Sequence, residues 1–69
     1  MELQDILNLA LIREQTLIEL YTDLLETYKN LGRGDKDIED LFLFLIDEKT
    51  RHKQLIKERI GNFFHSGKD

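Results

Sequence analysis

An unbroken alternation of four- and three-residue steps between mostly apolar positions runs through the first half of the chain. This spacing is the heptad pattern of an α-helix that packs along one side against another helix. No proline interrupts it. The positions of this seam are Leu3, Leu7, Ala10, Glu14, Leu17, Tyr21, Leu24, Tyr28 and Leu31. The pattern predicts a first helix over residues 3–31.

A second seam of the same kind follows a short segment that contains two glycines. Glycine just past a helix adopts the left-handed conformation that ends it, so the sequence predicts a hinge over residues 32–35. The second seam predicts a helix over residues 36–60 that ends at Gly61, with a short tail over 63–69. Its positions are Ile38, Phe42, Leu45, Lys49, His52 and Ile56.

The short hinge makes the two predicted helices antiparallel neighbours, so residues 1–62 are predicted to form one helical hairpin. Leu11, Ile18 and Leu25 make the apolar stripe of the first helix wider than a contact between two helices needs. We therefore predict an all-α fold in which two hairpins dimerise into a four-helix bundle. Further apolar residues on the outer sides indicate association beyond a dimer or a protein partner; these are Leu9, Ile12, Leu20 and Phe44.

Composition excludes several classes of protein. The 69 residues allow one domain, and the lack of cysteine excludes disulfides and thiolate metal sites, as is typical of the cytoplasm. The net charge of −4, from 14 acidic and 10 basic residues, argues against nucleic-acid binding. We find no signal peptide and no apolar run that could span a membrane, and we expect a cytoplasmic protein.

Polar residues stand in the middle of both seams. Glu14 and His52 lie equally far from residue 33, so an antiparallel hairpin places them at the same height, near Glu48 and Lys49. A buried carboxylate is costly unless it is paired or coordinated. Di-iron four-helix bundles take a Glu from each of two helices and a Glu and a His from each of the other two. Two copies of Glu14, Glu48 and His52 supply that number of ligands for iron or manganese.

At these residues the chain resembles the ferritin-like, rubrerythrin-type family, as a half-length member with two helices. In ALIREQTLIELYTDLLE, Glu14 and Tyr21 stand where the family has a ligand Glu and, after six residues, an aromatic. In FLFLIDEKTRHKQLI, His52 stands where the family has its ligand His. The chain is also similar to two-helix members that build the site across a dimer interface, including those carried inside encapsulin shells. The resemblance implies iron held between subunits and a ferroxidase- or peroxidase-like role in iron oxidation, iron storage or peroxide handling.

One position supports a different interpretation. The family spacing is Glu-x-x-His, and Lys49 occupies the position of that Glu, whereas Glu48 lies four residues before His52 and still shares its helix face. A Glu14–Lys49 ion pair would satisfy both charges without a metal. The chain would then be a metal-free dimeric interaction module, without a cofactor, that binds a protein partner through its outer apolar residues.

Overall fold

The protein is a hairpin of two long antiparallel α-helices in this computed structural model, which describes residues 2–66 and the side chains up to Asn62. Helix α1 spans Leu3–Asn30 and helix α2 spans Lys36–Ser66, and the two pack against each other. The molecule measures 55 × 19 × 11 Å, and its smallest dimension, 11 Å, corresponds to one layer of helices. The predicted all-α hairpin is confirmed, whereas its pairing into a four-helix bundle stays a prediction. Within residues 2–66, neither helix is long and apolar enough to cross a membrane.

Two glycines set the path of the chain between the helices. Leu31 is the first residue outside α1, and its amide donates to the carbonyls of Thr27 and Tyr28. Gly32 has φ +72° and Gly34 has φ +65°, a conformation that L-residues with a side chain rarely adopt. The hinge therefore lies where the sequence predicted it, with Leu31 added at its start.

The start of α2 is fixed by side chains from both sides of the hinge. The hydroxyl of Tyr28 accepts a hydrogen bond of 3.2 Å from the amide of Asp35. The carboxylate of Asp35, directly before the helix, accepts one of 2.9 Å from the amide of Asp37 and so satisfies a free donor of the first turn. These bonds hold the last turn of α1 close to the first turn of α2.

Helix α2 continues beyond the end near Ile60 that the sequence predicted, and runs to Ser66. Gly61 does not have the positive φ that ends a helix, and a helical glycine costs only about 1 kcal/mol relative to alanine. The glycine is therefore tolerated inside the helix. The side chains of Phe63, Phe64 and His65, and residues 67–69 of the predicted tail, lie outside the described part of the structure.

The contact between the helices makes only a thin core. Among the described side chains Leu25 alone is buried, at 6% exposure. Other apolar residues of the two helices are half-buried, among them Leu7, Leu17, Ile18, Tyr21, Ile38, Phe42, Leu45, Ile56 and Ile60. A hairpin of this size thus leaves much of its apolar surface in water, where burying each leucine would contribute about 1.5–3 kcal/mol.

Part of that exposed apolar surface lies on one side of the hairpin, which we call the open face. Because each residue turns an α-helix by about 100°, the open face comprises Ile6, Leu17 and Leu24 of α1 and Leu41 and Leu55 of α2. All of these except Leu17 are exposed large apolar side chains.

The opposite side, the polar flank, is closed by hydrogen bonds. Lys53 of α2 donates to the side-chain oxygen of Gln15 on α1, and the Gln15 amide donates to Glu19 at 3.0 Å. Leu43 is an exposed leucine on this side. The two sides of the hairpin therefore differ: four exposed large apolar side chains lie on the open face, whereas hydrogen bonds join the helices along the polar flank.

Candidate functional site

Glu14 lies between the two helices, near the middle of α1, with its side chain 18% exposed. Its two carboxylate oxygens face two different residues of α2. Oε2 is 3.7 Å from Nζ of Lys49, and Oε1 is 3.7 Å from Nδ1 of His52. The structure thus brings Glu14 and His52 to the same height, together with the lysine of the alternative interpretation.

The Glu14 carboxylate lacks a hydrogen bond on its inner oxygen. Oε2 is fully buried and has no hydrogen-bond partner among the described side chains and backbone. A buried polar atom without a partner costs about 1–3 kcal/mol, so such atoms are rare in folded proteins. Lys49, at 24% side-chain exposure, offsets the charge through space but donates no hydrogen bond to this atom. The oxygen therefore has capacity for a further cationic or donor group.

Glu48 lies on the open face, one helical turn before His52, and its side chain is 35% exposed. Its carboxylate is 3.8 Å from Nη2 of Arg51. The same guanidinium donates a hydrogen bond of 2.6 Å to Asp47, which raises the pKa of Arg51. Arg51 is anchored mainly by Asp47, so Glu48 is only weakly held.

The predicted ligands do not form a complete metal site within one chain. Among the described residues, no three His, Asp or Glu side chains are grouped closely enough to hold a metal ion. Glu14 and His52 face each other, whereas Glu48 contacts Arg51 at the edge of the open face. A complete ligand set from these residues therefore requires a second chain.

The residues present nevertheless suit iron or manganese. The set consists of carboxylate oxygens and an imidazole nitrogen, which both metals accept. The unpartnered Oε2 of Glu14 is an oxygen that a cation would satisfy. Lys49 disfavours a metal ion there, because its ammonium group lies next to that same oxygen. The donor types thus match such a metal, while Lys49 already places a cation at the same oxygen.

Sequence reasoning missed the hydrogen-bonded chain on the polar flank. Lys53 is half-buried and bonds Gln15, the neighbour of Glu14 in sequence. A signal for it was present, since Lys53 directly follows His52 and so projects toward the other side of the same contact. Lys53 and Gln15 are thus a second polar pair near the middle of the helices, and they lie on a different side from Glu14.

Comparison with protein-family models, curated proteins and solved structures finds no match for this chain. The resemblance to the ferritin-like family stays a prediction from the residues quoted above.

Proposed function

We propose that two copies of this hairpin pair through their open faces into a ferritin-like four-helix bundle that holds iron or manganese. The ligands are Glu14, Glu48 and His52 of both chains. The observation that carries the proposal is the buried Glu14 carboxylate, which lacks a hydrogen bond on Oε2 and faces His52 across the helices. We further propose a cytoplasmic location, with which the lack of cysteine is consistent.

The position of the polar residues along the helices supports their meeting in a dimer. Glu14 lies within one turn of the middle of α1, and Glu48 and His52 lie within one turn of the middle of α2. A two-fold axis through the centre of the open face would bring both copies of these residues into one layer. The exposed leucines above and below would exclude water from it.

In such a layer each residue would have a distinct part. Glu14 would supply the most buried carboxylate, His52 would supply a nitrogen, and Glu48, now in weak contact with Arg51, would supply a second carboxylate. Iron in an open carboxylate–imidazole site supplies redox chemistry with dioxygen or peroxide. Iron oxidation, iron storage or peroxide handling would follow from this.

A second candidate function is favoured by the distance of 3.7 Å between Lys49 and Glu14. With this pair as its polar layer, the dimer would need no metal and would serve as an interaction module. The outer surface of α1 carries exposed Leu9 and Ile12 beside a shallow groove, and Phe44 is 58% exposed on α2. These side chains would contact the protein partner.

The deciding experiment measures metal content per chain after purification without chelator, together with the molar mass of the same sample. Iron or manganese in a dimer or larger assembly supports the metal protein. A dimer that contains no metal and takes up neither added Fe(II) nor Mn(II) supports the interaction module. A monomer at all concentrations tested contradicts both proposals, since each needs the open faces to pair.

A further inference from the structure

We infer that the polar layer takes a single divalent cation per dimer, because Lys49 already supplies part of the positive charge. This inference rests on the proposed metal function and concerns how many ions that site holds. It departs from a two-metal site in the number of ions alone. The structural basis is the placement of Lys49 Nζ 3.7 Å from Glu14 Oε2.

The charges of the layer determine the number of ions. Each chain contributes two carboxylates, Glu14 and Glu48, and one ammonium group, Lys49. His52 is neutral when it acts as a metal ligand. Two chains therefore carry a formal charge of minus two in this layer, which one divalent ion cancels. Two divalent ions would leave the layer with a charge of plus two inside an apolar bundle, where unbalanced charge is strongly disfavoured.

Neighbouring cations do not alter this balance. Arg51 is 67% exposed and is bonded to Asp47, so this pair is close to neutral and in contact with water. Arg13, next to Glu14 in sequence, is exposed. Exposed charges are screened by solvent and contribute little to the potential in a buried layer.

The location of Lys49 places its positive charge inside the layer and not at the exposed surface. The ammonium group stands beside Glu14, the most buried carboxylate of the set, on the side of its unpartnered oxygen. Any cation bound to that carboxylate would lie close to Lys49, so the positive charge of Lys49 counts in full toward the charge of the layer. Lys49 is therefore a residue that determines stoichiometry, acting through Glu14 and not as a ligand.

The test counts bound manganese per chain by equilibrium dialysis of the native protein against Mn(II), with the molar mass measured on the same sample. We expect about half an ion per chain in the native dimer, since one ion balances the layer. Replacing the lysine by an uncharged residue of similar length, Lys49→Gln, removes two positive charges per dimer. We expect that variant to take up about one ion per chain.

The matched control is Lys53→Gln. It makes the same chemical change four residues away on the same helix, but on the polar flank, where Lys53 bonds Gln15. It should leave the count at about half an ion per chain. Circular dichroism confirms that each variant is helical, and Lys49→Met serves as a second uncharged variant if the glutamine variant does not fold.

The outcomes separate this inference from the proposed function. About one ion per chain in the native protein would overturn the single-ion inference and leave the metal function standing. An unchanged count in both uncharged Lys49 variants would overturn it too, because charge would not be limiting. Binding only in the Lys49 variants overturns it as well, since the native layer would hold no ion. If neither the native protein nor any variant binds manganese or iron, the proposed metal function itself is wrong.

Discussion

Glu14 and Lys49 face each other across the two helices at 3.7 Å, close enough for charge attraction but without a hydrogen bond to the buried Oε2 of Glu14. Both side chains are mostly buried, at 18% and 24% exposure. Attraction between such groups is stronger than at the surface, and the loss of either partner leaves a charge that water reaches poorly. The effects on stability of replacing Glu14 and of replacing Lys49 are therefore expected to be coupled.

We predict that Glu14→Leu and Lys49→Leu each lower the free energy of unfolding by roughly 1–3 kcal/mol, because each leaves a partly buried charge unpaired. The double substitution should be neutral or stabilising. Urea unfolding measures the stability of the two single variants and the double variant. A chelator is present so that no bound metal contributes. The exposed pair Lys36–Asp40 is the control, and its alanine substitutions should each change stability by less than about 0.5 kcal/mol. Additive effects of the two leucine substitutions would contradict the coupling.

A second prediction concerns Glu14 as a proposed metal ligand. Glu14→Gln keeps the size of the side chain but removes its charge, so we expect it to abolish binding of iron and manganese. A ligand present at a hundred times its dissociation constant stabilises the folded state by about 2.7 kcal/mol. Thermal unfolding with and without Mn(II) should show such a gain for the native protein and none for the variant.

Glu26→Gln is the control for this experiment. It makes the same change on α1 at an exposed position away from the layer, so its stabilisation by Mn(II) should equal that of the native protein. An equal gain from Mn(II) in the Glu14 and Glu26 variants would show that the metal binds elsewhere.

The open face makes a prediction about assembly. Leu41 and Leu43 are exposed to nearly the same degree, 50% and 52%, but Leu41 lies on the open face and Leu43 on the polar flank. Leu41→Glu would place a charge in the proposed interface and lose about 1.5–3 kcal/mol of apolar burial per chain. We expect this variant to become monomeric at micromolar concentration in light scattering coupled to gel filtration. Leu43→Glu should keep the native mass. The reverse result would place the interface on the other side.

The sequence was sufficient to predict most of the fold because the relevant signals are local. The four-three seam determined α1, and Gly32 and Gly34 marked the hinge, since both need a positive φ. The end of α2 was not predictable from Gly61, because a glycine ends a helix only when its backbone turns left-handed, and no side chain dictates that.

For the candidate site, sequence spacing correctly placed Glu14 and His52 at one height, because antiparallel helices with a short hinge have a fixed register. Spacing could not show that one oxygen of Glu14 faces Lys49 and the other faces His52, because that depends on side-chain conformation. Nor could it place Glu48 beside Arg51. Pairing with a second chain, on which the proposed metal site depends, lies beyond what local patterns in one sequence determine.

The final prediction concerns the glycines: replacing glycine by alanine should lower stability in the hinge and raise it inside α2. Gly32→Ala and Gly34→Ala put a Cβ atom on a backbone with positive φ, so each should destabilise the hairpin by about 1 kcal/mol. Gly61→Ala falls inside α2 and should stabilise it by up to about 1 kcal/mol, since alanine has the higher helix propensity. None of the three added methyl groups meets another atom within 4 Å, so packing does not obscure the backbone effect. Urea unfolding of the three variants measures the signs, and a loss of stability in Gly61→Ala would mean that the helix ends at Gly61 in solution.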